Sequence, residues 1–150
     1  GIRVYMRRYP KLGDIANGKK LFTKHCAACH QMFGEGNKVG PDLTGADRGN
    51  YEFLLNNIVD PSASMREQYR NYVVITIDGR VLTGLIAEST PTSVTILDAK
   101  NKLSVVKRDE IDELVPAKLS LMPEKLLDQL KAEETSDLFK YLQDNVKKKQ

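Results

Sequence analysis

The sequence predicts an α+β protein in which a mainly helical fold, of about four or five helices, is interrupted by a small antiparallel β meander or barrel. Apolar residues recur at helical spacing within residues 14–68 and 119–150. Between these ranges, in 69–118, β-branched and aromatic residues form four to five short runs separated by turn residues. Residues 1–13 are predicted to form an N-terminal arm. We therefore predict a helical domain that is split in sequence by a β module.

The helices are predicted over residues 14–25, 50–59, 123–130 and 133–145, with a further helical turn over 62–68. Asp14 and Asn50 are typical N-cap residues for the first two helices. Asp60-Pro61 ends the second, because the residue before a proline is disfavoured in helical conformation. Gly18 costs its helix about 1 kcal/mol relative to alanine. We therefore expect another element to pack closely against Gly18.

The strands are predicted over residues 72–77, 80–88, 94–97, 102–106 and 111–115. Asp78-Gly79 separates the first two strands and is a strong hairpin signal. The short turns between the strands are typical of an antiparallel meander, and their spacing is similar to that of small SH3-like or Sm-like barrels.

Residues 26–30, Cys-Ala-Ala-Cys-His, form the most informative motif. Cys-x-x-Cys-His is typical of c-type haem attachment, in which two thiols form thioethers to one haem and the histidine binds the iron. A redox dithiol favours a βαβ context, whereas this motif ends a helix. A zinc site that also used His25 would place four ligands within six residues, too closely spaced for a tetrahedral ion. The motif therefore predicts one covalent haem c, attached through Cys26 and Cys29, with His30 as a metal ligand.

Electron-carrying haem iron usually has a second axial ligand. Met122 is the leading candidate, because Met122-Pro123 immediately precedes a predicted helix and can present its thioether from the opposite side. Met65 is the alternative. Met6 is a further candidate, whereas Met32 and His25 lie too close to the attachment site in sequence to reach the other face of the haem.

A glycine-rich loop after the motif, residues 31–49, is expected to wrap around the bound group. A carbonyl in residues 40–43, at or near Pro41, is expected to accept the Nδ1 proton of His30. Arg48, Tyr51 and Arg66 are candidate partners of haem propionates. The apolar walls of the pocket are predicted to include Phe33, Val39, Leu43, Phe53, Leu54, Ile58 and Leu121.

Composition limits the function classes. The net charge of +3 is mild and does not indicate a nucleic-acid partner. No apolar run approaches the length of a membrane span. Because haem c is attached outside the cytoplasm, we expect a periplasmic or otherwise extracytoplasmic location. The sequence leaves the oligomeric state open.

The sequence contains five motifs that occur in order along the chain, namely Gly18-x-x-x-Phe22, residues 26–30, Gly40-Pro41, residues 121–123 and Leu138-x-x-Tyr141. In these five motifs the sequence resembles class I cytochrome c. The resemblance implies a contact between the first and last helices, with Gly18 and Phe22 on Leu138 and Tyr141. His30 and Met122 are farther apart in sequence than small cytochromes of this class require, and removal of residues 69–118 restores the usual spacing.

This arrangement resembles the Planctomycete/Verrucomicrobium-type haem-binding domain. The matching stretches are GKKLFTKHCAACH, GEGNKVGPDLTG, NNIVDPSAS, VVITIDGRVLTGLIAES and LSLMPEKLLDQLKAEETSDLFKYL. Members of that family often lie at the C-terminus of large secreted proteins, including predicted sugar dehydrogenases. The resemblance implies a redox partner protein or an upstream catalytic domain.

The leading functional hypothesis is single-electron transfer with His30 and Met122 as axial ligands, without substrate chemistry in this chain. The alternative is a haem-based gas sensor or peroxidase-like domain, in which the sixth ligand site is open or labile. A third hypothesis, compatible with the first, is that the β module docks a partner.

Overall fold

A computed structural model describes residues 13–63 and 65–146 of the chain. Three α-helices lie in this part: α1 (Ile15–His25), α2 (Tyr51–Val59) and α3 (Ala132–Leu142). The strands are β1 (Gln31–Met32), β2 (Glu35–Gly36), β3 (Tyr72–Thr76), β4 (Val81–Ser89), β5 (Ser93–Leu97), β6 (Leu103–Lys107) and β7 (Ile111–Pro116). The α+β class is confirmed. The predicted N-terminal arm, with Met6, lies outside the described residues except for Gly13.

The prediction of four or five helices is wrong for the described part of the chain. In place of the predicted helical turn over 62–68, the described residues 61–63 form a turn and Glu67–Tyr69 form a 3-10 turn. Residues 123–130 contain only the 3-10 turn Leu126–Gln129, because Lys125 adopts a left-handed backbone conformation (φ 61°) that interrupts a helix. The glycine-rich loop also differs, since β1 and β2 form a short antiparallel hairpin within it.

The predicted N-caps of α1 and α2 are present. Asp14 Oδ1 accepts the backbone N–H of Ala16 at 2.9 Å, and Asn50 Oδ1 accepts that of Phe53 at 3.1 Å. These bonds satisfy donors that the first turn of a helix cannot pair internally.

α1 and α3 cross at Gly18, as the resemblance to class I cytochrome c implies. A Cβ atom at Gly18 would lie 2.0 Å from the backbone oxygen of Asp137, so only glycine permits this approach. The rings of Phe22 and Tyr141 pack beside the crossing with their centroids 5.6 Å apart. Leu138 is buried in the same cluster. The crossing therefore joins the two ends of the described chain.

The five strands predicted in residues 69–118 form one antiparallel sheet in the order β6-β5-β4-β3-β7. The first half of β4 pairs with β3 and the second half pairs with β5. Gly84 lies at the change of partner, where a Cβ would approach the oxygen of Leu97 to 2.3 Å. The sheet buries its own core of Val74, Val94, Ile96 and Val106, which is distinct from the helical core. The interpretation of this sheet as an inserted module stays a prediction.

Within the described ranges, no helix combines the length and the apolar composition that crossing a membrane requires.

Candidate functional site

The Cys-x-x-Cys-His motif forms a tight turn that continues directly from the end of α1. The backbone N–H groups of Cys26 and Ala27 donate to the oxygen of Phe22, and those of Cys29 and His30 donate to the oxygen of Cys26. This winding keeps both thiols and the imidazole within one turn of chain. The position of the turn is set by Phe22, which is anchored in the crossing of α1 and α3.

Both thiols have raised pKa values. Burial, with a smaller contribution from Cys29, raises the pKa of the Cys26 thiol to about 12, and burial also raises the pKa of Cys29. Reactive thiols in redox dithiols have lowered pKa values because the thiolate is their nucleophile. The environment of Cys26 and Cys29 therefore does not favour a redox dithiol.

The imidazole of His30 is held by the loop that follows the motif. Its Nδ1 lies 2.9 Å from the carbonyl oxygen of Pro41, and since a carbonyl only accepts, Nδ1 carries the proton and donates it. The hydrogen bond expected from the sequence is thus present. Burial lowers the pKa of His30, and the bond to Pro41 partly offsets this effect. His30 is therefore neutral near pH 7, with the lone pair of Nε2 available to a metal.

Gly40 lies against the face of the His30 ring. A Cβ at Gly40 would lie 2.7 Å from Cε1 and 3.0 Å from Nδ1 of that ring. The backbone N–H of Gly40 also donates to the oxygen of Cys29 at 2.6 Å. Gly40 and Pro41 together fix the ring plane and the tautomer of His30.

The loop that carries these residues is bonded back onto the motif. The N–H of Asn37 donates to the oxygen of Ala27 and its side-chain amide donates to the oxygen of Ala28. Gly36, with φ 108°, passes so close to His30 that a Cβ would lie 2.1 Å from the His30 oxygen. The loop is therefore a rigid support for the motif.

Gly40→Ala is expected to tilt the His30 ring and weaken its bond to Pro41, because the added methyl group occupies the position of the ring. We expect the free energy of unfolding to fall by about 1–3 kcal/mol, the usual cost of overpacking. Urea unfolding measures this loss, and ¹⁵N NMR measures the exchange of the His30 Nδ1 proton with solvent.

Gly45→Ala is the matched control in the same loop, since a Cβ there meets nothing within 4 Å. We expect it to leave both measurements unchanged. Slow exchange of the Nδ1 proton in Gly40→Ala, equal to that of the wild type, would contradict the proposed role of Gly40.

The residues that were predicted to form the apolar walls of the haem pocket differ in burial. Leu54 is buried in the helical core, and Leu43, Tyr51, Phe53 and Ile58 pack partly buried against it, as do Cys26 and Ala27. Val39 is buried, whereas Phe33 is 40% exposed. Met32 is fully buried within the same core. The motif thus borders an apolar cluster, and the assignment of individual wall residues to a haem pocket stays a prediction.

Arg48, a candidate propionate partner, has well-defined protein partners. Its side chain is buried, and it donates to the backbone oxygens of Thr44, Leu142 and Asp144. Its guanidinium also lies 4.9 Å from the centre of the Phe33 ring. Arg48 therefore ties the loop to the C-terminal end of α3, where carbonyls lack helical partners. A propionate role for Arg48 stays a prediction.

The two other candidate propionate partners differ in setting. The Tyr51 ring packs against Phe139 with centroids 4.9 Å apart. Arg66 is exposed immediately before the 3-10 turn at Glu67–Tyr69. Their propionate roles also stay predictions.

Leu121 and Met122 lie half-buried in the turns that follow β7. The N–H of Met122 donates to Ser120 Oγ at 3.1 Å, and the N–H of Ser120 donates to Ser62 Oγ at 3.0 Å. Met65 is also half-buried, between α2 and β3. Which methionine serves as an axial ligand stays a prediction.

Sequence reasoning missed Asp137. Its carboxylate accepts the backbone N–H of Asp14 and the side-chain amide of Asn17, both at 2.7 Å. It thereby fixes the start of α1 on α3 at the crossing beside Gly18. No local pattern in the sequence signals a contact between residues so far apart.

Comparison with known proteins gives a consistent result for the first half of the chain. The family model described as Cytochrome c matches residues 15–74. A cytochrome c of Stellaria longipes is 53% identical over 36 residues, which cover 23% of this chain and 33% of the relative. A cytochrome c of Cochliobolus lunatus is 53% identical over 34 residues, which cover 22% of this chain and 32% of the relative.

A thiosulfate dehydrogenase of Stutzerimonas stutzeri (strain A1501) is 33% identical over 72 residues, which cover 41% of this chain and 24% of the relative. The chain thus spans a third or less of the length of these curated relatives. The matches support a cytochrome c domain at residues 15–74, which contains the Cys-x-x-Cys-His motif and its supporting loop.

Proposed function

We propose that this chain is a single-electron-transfer domain with one covalently attached haem c. The observation that carries the proposal is the setting of His30, whose Nδ1 proton is bound by Pro41 beside two cysteines in one turn. This arrangement leaves Nε2 as the only nitrogen of the ring with a free lone pair. The match of residues 15–74 to the cytochrome c family supports the same chemistry.

The residues of the motif have separate roles in this proposal. Cys26 and Cys29 would hold the haem through thioethers, and His30 would bind the iron through Nε2. The hydrogen bond that His30 Nδ1 donates to the oxygen of Pro41 makes the imidazole a stronger metal ligand, as outer-shell carbonyls do for metal-bound histidines. When bound, the haem supplies an iron that accepts and releases one electron.

Met122 is the proposed second axial ligand, and Met65 is the alternative. A thioether ligand raises the reduction potential relative to a second nitrogen ligand. The apolar side chains of Leu43, Phe53 and Ile58 pack against the same core cluster as Cys26, and they would exclude water and disfavour the additional charge of the oxidised site.

The partner of the domain is proposed to be a redox protein or an upstream catalytic domain. The partial similarity to a thiosulfate dehydrogenase supports a connection with a catalytic unit. In this proposal the chain relays electrons and does not itself bind a substrate. Covalent haem attachment implies a periplasmic or otherwise extracytoplasmic location. The Planctomycete/Verrucomicrobium-type subtype is proposed on the stretches of sequence that match that family.

The test is an absorption spectrum of the purified holoprotein, oxidised and reduced, with and without CO. We expect the oxidised protein to show the far-red sulfur-to-iron band and the reduced protein not to bind CO, because Met122 occupies the sixth site. Met122→Ala is expected to lose the band and to bind CO at once, while Met65→Ala retains the wild-type behaviour.

The opposite result for the two variants would assign the ligand to Met65. A wild-type protein that lacks the band and binds CO immediately would contradict methionine ligation. It would instead support the gas-sensing or peroxidase-like alternative.

A further inference from the structure

Residues 117–122, which we call the Met122 loop, leave the sheet at the end of β7 and carry the proposed axial ligand. The loop contains no helix or strand. Its conformation therefore depends on hydrogen bonds to other parts of the chain, and the structure shows two anchors of this kind.

The first anchor is Asn71, the residue immediately before β3. Its backbone oxygen accepts the N–H of Ala117 at 2.9 Å, which extends the pairing of β3 and β7 by one step. Its side-chain amide then donates to the oxygen of Leu119 at 3.3 Å. Asn71 thus attaches the first half of the Met122 loop to the sheet.

Asn71 is an unusual residue for this position. The residue is 6% exposed, and its Oδ1 is buried without a partner among the described residues. A buried polar group with an unpaired atom is costly. An apolar side chain would suit the site better if packing were its only role, so the bond to Leu119 is the feature that distinguishes asparagine here.

The second anchor is Ser62, in the turn after α2. Its Oγ accepts the N–H of Ser120 at 3.0 Å, and Ser120 Oγ accepts the N–H of Met122 at 3.1 Å. The backbone of Met122 is thereby connected through two hydroxyl groups to the turn that follows α2.

We infer that Asn71 and Ser62 are positioning residues that hold the Met122 loop in its ligating conformation, so that the sheet helps to maintain the sixth ligand of the iron. The inference rests on the proposed function, since it requires Met122 to be the ligand. It gives the sheet a role within this chain, in addition to any role in docking a partner. The hydrogen bonds of Asn71 and Ser62 to the Met122 loop are predicted to form when Met122 binds the iron and to break when Met122 dissociates from it.

The test measures the affinity of the oxidised holoprotein for imidazole, which binds the iron only when Met122 is displaced. The apparent affinity for imidazole rises in proportion to the fraction of molecules in which the sixth ligand site of the iron is open. Loss of one loop bond is expected to raise this affinity about fivefold, the ratio that corresponds to a typical net hydrogen bond. The variants are Asn71→Leu and Ser62→Ala, and the far-red band is recorded for each.

Two controls separate positioning from general destabilisation. Ser62→Thr retains the hydroxyl acceptor and is expected to restore the wild-type imidazole affinity. Ser93→Ala removes a side-chain hydroxyl bond to Thr90 on the turn between β4 and β5 and is expected to leave the affinity unchanged. The free energy of unfolding is measured in parallel for all variants.

The outcomes distinguish this inference from the proposed function. If the wild type shows the far-red band but Asn71→Leu and Ser62→Ala bind imidazole like the wild type, methionine ligation stands and the positioning role is wrong, even if both variants are less stable. If the wild type lacks the band, the proposed ligation fails and the inference fails with it. Should Asn71→Leu not fold, Ser62→Ala and Ser62→Thr decide the result.

Discussion

Replacing both Cys26 and Cys29 with alanine is expected to abolish covalent haem attachment completely. The two thiols lie in one turn at the end of α1, and they are the only cysteines in the sequence. Without them the haem would be held only by coordinate bonds to the iron, such as the proposed bond from His30, which denaturant breaks. After denaturing electrophoresis, haem-associated peroxidase staining should therefore be absent from the double variant and strong in the wild type.

A second measurement tests the same attachment in the wild type. Because each thioether consumes one thiol, the unfolded wild-type holoprotein should contain no thiol that a colorimetric reagent detects. Each single variant should retain one thioether and therefore remain stained. Met122→Ala is the control for coordination without attachment, and we expect it to stain like the wild type. Haem staining of the double variant would show that the cysteines do not attach the cofactor.

Gly18→Ala is expected to cause a large loss of stability while leaving the haem-attaching residues intact. Alanine would gain about 1 kcal/mol of helix propensity at this position. However, its Cβ would lie 2.0 Å from the oxygen of Asp137 and 2.8 Å from the Cβ of Tyr141, so α1 and α3 must separate. We expect a net loss of about 2 kcal/mol in the free energy of unfolding.

Lys20→Ala is the control for Gly18→Ala, because it introduces the same side chain on the exposed face of the same helix. It should change stability by less than about 0.5 kcal/mol. Chemical unfolding of the three holoproteins under the same conditions measures the difference. Equal midpoints for Gly18→Ala and the wild type would mean that the crossing is not the close contact that the structure shows.

The sheet and the helical core are separate in their packing but meet at a few specific points. One is the hydrogen bond from the N–H of Ser120, in the loop after β7, to Ser62 Oγ in the turn after α2, and another is the contact between Cys29 Sγ and the oxygen of Ala99, 3.7 Å apart, at the turn between β5 and β6. Both points adjoin residues of the proposed haem site. The sheet is therefore placed where it can influence the iron, whether or not it also binds a partner.

Local features of the structure were predictable because short-range physics controls them. The caps at Asp14 and Asn50, the hairpin at Asp78-Gly79 and the positions of all five strands of the large sheet follow from neighbouring residues. The bond from His30 to Pro41 was also predictable, since a turn eleven residues after the histidine can return its carbonyl to the ring.

The predictions of a short helix over residues 123–130 and of a helical turn over 62–68 were wrong, because they rested on local spacing alone. The apolar spacing of residues 123–130 favours a helix, but the left-handed conformation of Lys125 limits it to the 3-10 turn Leu126–Gln129. The described residues of the segment 62–68 likewise form no α-helix, because Pro61 follows the end of α2 and the chain then enters the sheet at β3. In both segments, the path that the backbone takes between neighbouring elements determined the conformation, although the local sequence favours a helix.

By itself, the sequence determined the α+β class and the need for glycine at position 18, and it predicted the chemistry of the Cys-x-x-Cys-His motif, because each depends on residue type and short spacing. Only the tertiary structure decided the partners of Asp137, Arg48, Ser62 and Asn71. The hydrogen bonds of these four residues span sequence separations of 123, 94, 58 and 48 positions, respectively. Such bonds form only after hydrophobic packing has brought the helices and the sheet together, and no local pattern encodes which distant groups will then meet.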